Sequence, residues 1–223
     1  MEADAIASKF EKFSIPEIPS NPNIQNFKAQ FLDPIDLSEV TDSSINSEIL
    51  VSEVVEAISQ SSSNSSPGPD GIAYSVFKEF PDVAIDQLTC LYNKIFTTGV
   101  FPKSFKTVLQ KALPKSTPGE FRPITLSNSV HKIFERIIYN RINSILDKFI
   151  PDYQYGFRKK RGSADQLLRF ISSIQDAKNK KLHVGILFLD IKKAFDRVDR
   201  NLLLSLLYGK GIRGKCLRAI QNI

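Results

Sequence analysis

A carboxylate follows an apolar run near the carboxyl end of the chain, in the segment LFLDIKKAFDRVD of residues 187–199. The run LHVGILFL, Leu182–Leu189, has the length and composition of a strand buried on both faces. Such a strand would hold Asp190 at its end, facing a cleft in which a hydrated cation can sit. Mg²⁺ prefers oxygen ligands and usually binds one or two carboxylates together with substrate phosphates, so Asp190 is a candidate metal ligand. By itself, the pattern also fits an aspartate that only caps a strand, as in many α/β proteins.

The elements that must position this strand can be predicted from periodicity and turn residues. Lys106–Leu113 and Phe121–Leu126 are predicted strands joined by a turn at Pro114–Glu120, which indicates a hairpin. Ser163 and Gln166 form a predicted capping box that opens a helix. Apolar residues at helical spacing predict a buried stripe on that helix, formed by Leu167, Phe170, Ile171 and Ile174. The same spacing predicts five further helices: Ser47–Ile58, Ala84–Ile95 with Gly99 as its stop, Ser127–Lys148, Asn201–Tyr208 and Lys215–Ile223. Helices combined with a hairpin and a buried strand indicate an α+β domain.

Charge is distributed unevenly along the chain. Residues 1–100 hold 5 Lys and Arg against 15 Asp and Glu (net −10), whereas residues 101–223 hold 25 against 9 (net +16). The basic part has the charge expected of a surface that follows phosphates, although a basic face that is only solvated would give the same count. No apolar run reaches the roughly 18–20 residues that span a bilayer, and the N-terminus has no secretory pattern. We therefore expect an intracellular protein of the cytoplasm and nucleus that is neither secreted nor bound to a membrane.

Four segments resemble motifs of reverse transcriptases, in the form typical of non-LTR (LINE-type, jockey-like) retrotransposons. These are SPGPDGI (66–72), similar to the family's amino-terminal extension; ALPKSTPGEFRPITLSNSVHKIFERIIYNRI (112–142), similar to its fingers motif; QYGFRKKRGSADQL (154–167), similar to its glycine- and arginine-bearing loop; and FLDIKKAFDRVD (188–199), similar to its first catalytic motif. The motifs follow the family's order and approximate spacing. The resemblance implies a right-hand polymerase fold, with a linker or N-terminal extension at 1–46, a helical extension at 47–105, fingers at 106–181 and the first part of the palm at 182–223.

The resemblance also implies roles for individual residues. Asp190 would ligate both catalytic Mg²⁺ ions, with the backbone carbonyl of Ile191 as a further ligand. Phe195 would be an aromatic steric gate beneath the incoming sugar. Lys115 and Arg122 would bind the triphosphate of the incoming deoxynucleoside triphosphate, the lysine as a compact charge and the arginine as a bidentate fork. Six loop residues would lie along the RNA template or the DNA primer, unless the loop is only solvated: Gly156, Phe157, Arg158, Lys159, Lys160 and Arg161.

Asp196 and Asp199 follow the proposed catalytic strand closely enough to be considered as further metal ligands. Their positions favour charges at a helix N-terminus instead. The family's later hairpin, which bears a paired Asp-Asp, has no counterpart, because no such pair occurs in the 223 residues. We therefore expect fingers and a palm cut off before the active site is complete, and a chain that does not polymerise DNA by itself.

Three interpretations of function follow. The leading one is part of a retrotransposon RNA-directed DNA polymerase (reverse transcriptase), with Mg²⁺-dependent nucleotidyl transfer in the full-length protein. The alternative is a non-catalytic nucleic-acid-binding remnant that keeps the basic surface. A group II intron maturase or a telomerase is a third interpretation, which the Arg-Pro-Ile and Lys-Lys-Ala-Phe-Asp motifs fit less well.

Overall fold

A computed structural model describes residues 43–116, 120–191 and 194–223 of the chain. The helices in this part are α1 (Ser43–Asn46), α2 (Val51–Ser59), α3 (Tyr74–Lys78), α4 (Asp82–Thr98), α5 (Ser129–Leu146), α6 (Ser163–Asn179), α7 (Arg200–Gly209) and α8 (Gly214–Asn222), and the strands are β1 (Val108–Pro114) and β2 (Phe121–Ser127). Short 3-10 turns cover Lys103–Lys106 and Phe195–Arg197. The mixture of helix and strand confirms the α+β class. The predicted linker at 1–46 lies outside the described residues except for its last four.

The described residues group into two compact units. One contains residues 43–116, 120–143 and 195–223, and the other contains residues 144–191 and 194. None of the described helices is both long and apolar enough to cross a bilayer.

The core of the first unit is centred on α4 and α5. Ile133, Phe134, Ile137 and Ile138 are buried on one face of α5, as their helical spacing predicts. The ring of Phe134 packs at 5.5 Å from the ring of Tyr92 on α4. Burial of each such side chain stabilises the fold by roughly 1.5–3 kcal/mol relative to exposure. The two helices therefore hold this unit together mainly through apolar contacts.

Glycine ends α4 at the predicted position. Gly99 has φ 72°, in the left-handed region, and its N–H donates to the carbonyl of Ile95 at 2.8 Å. A residue with a Cβ would be strained in this conformation, whereas glycine adopts it readily. The stop that the sequence indicates is therefore a left-handed helix cap.

A buried arginine on α5 ties the N-terminal helices to the core. The guanidinium of Arg141 donates to both carboxylate oxygens of Glu53 on α2, each at 2.7 Å. It also donates to the carbonyls of Ile45, Ser47 and Glu48 at 2.8–3.1 Å. Partial burial by itself raises the pKa of Glu53, but the hydrogen bonds and the charge of Arg141 outweigh it and leave the pKa below its ordinary value.

The second unit departs from two predictions. The segment 182–190 forms no strand, and its apolar side chains are exposed, up to 86% for Leu189. The prediction of a buried strand at Leu182–Leu189 is therefore wrong for this structure. A strand needs a neighbouring strand that pairs with its backbone N–H and C=O groups, and no described strand pairs with this segment. Among the described residues only β1 and β2 form a sheet, and they pair with each other.

Helix α6 also differs from its prediction. It begins one residue early: Gly162 is the N-cap, and its N–H donates to Asp165 Oδ2 at 3.1 Å, in place of the predicted pairing of Ser163 with Gln166. Its predicted apolar stripe is present in sequence, yet none of its described residues is buried. An amphipathic pattern marks which face can pack, but burial requires another element to cover it.

Candidate nucleotide and nucleic-acid site

The β1–β2 hairpin carries two of the predicted phosphate-binding residues. The strands pair antiparallel from Val108 opposite Ser127 to Pro114 opposite Phe121, which confirms the predicted hairpin. Arg122 lies opposite Leu113, and Lys115 directly follows β1, so both basic residues lie at the turn end. The turn residues 117–119 lie outside the described part.

An ion pair closes the turn end of this hairpin. The N–H of Lys115 donates to the carbonyl of Glu120 at 2.9 Å, and its Nζ lies 3.0 Å from Glu120 Oε2. Both side chains are about half exposed, and Arg122 is exposed as well. Exposed pairs of this kind contribute little stability, about 0–1 kcal/mol. The ammonium group can therefore exchange Glu120 for a more strongly charged phosphate at little cost.

The base of the hairpin is anchored by the loop that contains SPGPDGI. Asn128, which follows β2, accepts a hydrogen bond from the N–H of Asp70 and donates to the carbonyl of Ser104. The hydroxyl of Ser129 donates to the carbonyl of Ile72, in the SPGPDGI loop, at 2.7 Å. A Cβ added to Gly68 would come within 2.6 Å of backbone atoms of Asn128 and its neighbour. The loop therefore packs against the point from which the hairpin projects, and glycine permits that close approach.

The proposed metal ligands lie in the second unit. Asp190 and Ile191 are exposed at the end of the apolar segment 182–191, with no regular secondary structure. Lys192 and Lys193, the next residues of the predicted catalytic motif, lie outside the described part. Lys115, Arg122 and Phe195 belong to the first unit.

The last residues of the predicted catalytic motif separate into two kinds. Phe195 opens a 3-10 turn and is 82% exposed. Asp199 is the N-cap of α7, where its Oδ1 accepts a hydrogen bond from the N–H of Leu202 at 3.1 Å. The prediction that Asp199 acts at a helix N-terminus is confirmed. Asp196 lies in the 3-10 turn and is exposed.

The basic loop between α5 and α6 uses both of its arginines internally. The side chain of Arg158 is only 8% exposed; it lies 2.9 Å from Asp147 and donates to the carbonyl of Pro151 at 3.1 Å. Arg161 donates to the carbonyl and carboxylate of Asp152 and lies 5.4 Å from the centre of the Tyr155 ring. Both guanidinium groups therefore brace the loop.

The remaining loop residues predicted to contact nucleic acid face solvent. Phe157 is 94% exposed and has φ 62°, and Lys160 has φ 60°. Both backbones are in the left-handed region, which residues other than Gly, Asn and Asp seldom adopt. Gly156 and Lys159 are exposed too.

Comparison with known proteins identifies the chain. Residues 113–220 match the reverse transcriptase (RNA-dependent DNA polymerase) family. The chain is 35% identical over 164 residues to a probable RNA-directed DNA polymerase from transposon BS of Drosophila melanogaster, and 37% over 153 residues to the one from transposon X-element of the same fly. It is 34% identical over 157 residues to the RNA-directed DNA polymerase from mobile element jockey of Drosophila funebris. This chain belongs to the reverse transcriptases of non-LTR retrotransposons.

The shared region is long in this reverse transcriptase chain and short in its relatives. The three alignments cover 70%, 66% and 67% of the chain, but only 18%, 17% and 17% of the relatives. The chain therefore spans less than a fifth of the length of the curated relatives it matches.

Reverse transcriptases depend on divalent metal ions, which need several oxygen ligands grouped at one site. In the part of the chain that the structure describes, no three His, Cys, Asp or Glu side chains are grouped so that they could hold a metal ion. Asp190 supplies a single carboxylate, which is too few fixed ligands for octahedral Mg²⁺. The described residues of this reverse transcriptase chain do not form a complete metal site.

Two positioning residues of the reverse transcriptase hairpin were missed by the sequence analysis. Asn128 precedes a helix, which suggests an N-cap, but its side-chain oxygen instead accepts a hydrogen bond from the N–H of Asp70 in the SPGPDGI loop. Gly68 lies in a turn-rich stretch, which suggests only a turn. Neither contact could be found from local sequence, because the partners are 58 or more residues apart.

Proposed function

We propose that this chain forms the fingers and the first part of the palm of an RNA-directed DNA polymerase, which transfers deoxynucleotides to a DNA primer on an RNA template in a longer polypeptide. One observation carries the proposal. The hairpin presents Lys115 and Arg122 at its exposed turn end, in a region that matches the reverse transcriptase family.

Lys115 and Arg122 are proposed to bind the triphosphate of the incoming nucleotide. Lys115 precedes the turn and Arg122 follows it, and in the antiparallel register both lie at the turn end, so a single phosphate chain there can contact both. The lysine supplies a compact charge, and the arginine supplies parallel N–H donors for two phosphate oxygens. Binding would release Glu120 from its ion pair with Lys115.

Asp190, the carbonyl of Ile191 and Phe195 are proposed as the first residues of the catalytic centre. Asp190 would be one carboxylate of a Mg²⁺ site that needs further ligands, since no three His, Cys, Asp or Glu side chains are grouped for a metal ion among the described residues. The exposed ring of Phe195 would exclude a sugar that carries a 2′-hydroxyl. The template and primer would follow the basic part of the chain, residues 101–223, whose net charge is +16 from 25 basic and 9 acidic residues.

Primer extension on an RNA template with Mg²⁺ tests this function. The polypeptide for the assay is the chain continued to the length of its relatives, with Asp190→Asn and Lys115→Ala as variants. Lys78→Ala, an exposed lysine at the end of α3, is the matched control. We expect Asp190→Asn to abolish extension, Lys115→Ala to raise the KM for nucleotide, and the control to leave both unchanged. Full activity of Asp190→Asn would contradict the proposal.

The 223-residue chain alone is expected to extend no primer in the same assay, because it contains no Asp-Asp pair. Measurable DNA synthesis by this chain would show that its ligand set is sufficient.

A non-catalytic nucleic-acid-binding protein is the second candidate, favoured by the net charge of +16 over residues 101–223. The coding frame beyond Ile223 separates the two candidates. An aromatic-x-Asp-Asp sequence there supports the polymerase, and a stop codon supports the binding protein.

A further inference from the structure

An uncovered apolar patch lies on the second unit, where α6 and the segment 182–191 meet. The ring of Phe188 in this segment lies 6.0 Å from the ring of Phe170 on α6, and the N–H of Leu182 donates to the carbonyl of Ala177 at 2.9 Å. Ten large apolar residues of α6 and the segment are each 44–86% exposed. The helix and the segment therefore contact each other and leave a joint apolar patch in solvent.

The backbone of this segment also lacks a partner. Residues 183–191 form no backbone hydrogen bond with any other residue that the structure describes. The segment contains no proline, one glycine and one charged side chain, Asp190, a composition typical of segments that pair between chains as strands. A row of unpaired N–H and C=O groups with this composition is a template for a further strand.

The apolar patch is large enough for a stable interface. At roughly 60–120 Å² for a fully exposed aliphatic side chain, its exposed residues offer on the order of 400–800 Å² of apolar area in each copy. A standard interface buries about 800 Å² per partner, of which roughly 60% is apolar. The patch therefore supplies about the apolar area that such an interface needs.

The charge of the segment favours a second copy of the chain over a charged partner. The segment 182–191 contains one Asp and no Lys or Arg, so two copies can meet there with little repulsion. All eleven basic residues of 144–194 lie outside the segment. Unpaired backbone groups are complementary to those of an identical strand in the antiparallel direction, and a two-fold axis closes such a pair.

We propose that the segment 182–191 is a self-association site, at which a second copy of the chain adds an antiparallel strand and the two apolar patches cover each other. Leu187 and Leu189 are the side chains best suited to test this interface, because both are mostly exposed in a single copy. Self-association of the 223-residue chain does not depend on the polymerase function proposed above.

Sedimentation velocity of the nuclease-treated chain tests this site at about 1–100 µM, which spans the weak end of the affinities of standard interfaces. The sedimenting mass should rise with concentration from 25.1 kDa to about twice that value. Leu187→Lys combined with Leu189→Lys places like charges in the interface and should weaken association by at least about ten-fold. Val83→Lys combined with Val100→Lys is the matched control, because it adds the same charge at two exposed valines of the first unit. The control should associate as the parent chain does.

Two further measurements identify the kind of contact. Hydrogen exchange of residues 183–191 should slow as the concentration rises, because their N–H groups enter a strand ladder, whereas exchange in the loop 151–162 should not change. Salt raised from about 0.1 to 1 M should leave association unchanged or strengthen it, because screening reduces the repulsion between two positively charged chains. Both lysine substitutions replace exposed residues, so the variant should fold as the parent does, which far-UV circular dichroism checks.

Several results would overturn this inference. A chain that sediments at 25.1 kDa at the highest concentration has no such site. Association that persists undiminished in the Leu187→Lys, Leu189→Lys variant would place the contact elsewhere, and so would unchanged hydrogen exchange in residues 183–191. Assemblies that grow beyond two copies would show that no two-fold axis closes the pair.

Discussion

Replacement of Arg141 by alanine should destabilise the first unit by roughly 3–5 kcal/mol, because it removes a buried guanidinium that donates to the part-buried Glu53 carboxylate and to backbone carbonyls. The side chain of Arg141 is 7% exposed, and its guanidinium serves the Glu53 carboxylate and three backbone carbonyls. Of those carbonyls, the one of buried Ile45 has least access to water once the guanidinium is gone. An unsatisfied buried acceptor costs about 1–3 kcal/mol, and the carboxylate left with fewer donors accounts for a similar amount.

Urea unfolding followed by far-UV circular dichroism measures this loss. Arg136→Ala, on the same helix at an exposed position, is the control and should change stability by less than about 0.5 kcal/mol. Arg141→Lys keeps the charge without the fork, so it should lose about 1.5–3 kcal/mol, the range for hydrogen bonds to charged groups. A double-mutant cycle with Glu53→Gln should give a coupling free energy of at least about 1 kcal/mol. If Arg141→Ala cost no more than Arg136→Ala, the network would not support the fold in the way described.

The same pair makes stability depend on pH. The folded pKa of Glu53 lies below its ordinary value of 4.5, so its ionised form stabilises the folded state. That contribution is fully present above about pH 4.5 and is lost as the pH falls through the folded pKa. The difference in unfolding free energy between the parent chain and Glu53→Gln should therefore be constant near neutral pH and should shrink only below about pH 4.5. A difference that changed between about pH 6 and 8 would implicate another group.

Three further predictions concern single residues. Burial raises the pKa of the Cys216 thiol to about 12. A disulfide reagent at about pH 8 should therefore modify only the exposed Cys90 in the native chain, but both thiols in urea. Two thiols that react fast in the native chain would contradict the burial of Cys216. Gly68→Ala should lower the free energy of unfolding by about 1–3 kcal/mol and speed hydrogen exchange in β1 and β2, because the added Cβ would lie 2.6 Å from backbone atoms. Gly185→Ala is the control: no atom lies within 4 Å of its Cβ, so it should have neither effect. Asp199→Ala should lower the free energy of unfolding in urea by about 1 kcal/mol, because α7 loses its N-cap. Asp196→Ala, at an exposed position, should lower it by less than about 0.5 kcal/mol. Equal losses would show that the cap has no effect.

Local patterns in the sequence determined much of the architecture. Helices α4 and α5, the stop at Gly99, the hairpin of β1 and β2 and the cap at Asp199 all agree with their predictions. These features depend on hydrogen bonds between residues close in the chain, so apolar spacing and turn residues are sufficient to indicate them. The family membership was also evident from motifs, because the motifs keep their order and spacing.

Tertiary structure alone decided the features that depend on distant partners. The apolar run before Asp190 has strand composition, but no described strand forms a ladder of hydrogen bonds with it, so it forms no strand. The sequence marks Arg158 as a basic loop residue, while its carboxylate and carbonyl partners make it a brace. Arg141 bonds to Glu53 across 88 positions, a contact that no local pattern encodes. The periodicity of apolar residues in the sequence specifies which face of a helix or strand can pack. The surface that covers this face, and the charged group that pairs with a side chain such as Arg141, come from elsewhere in the chain.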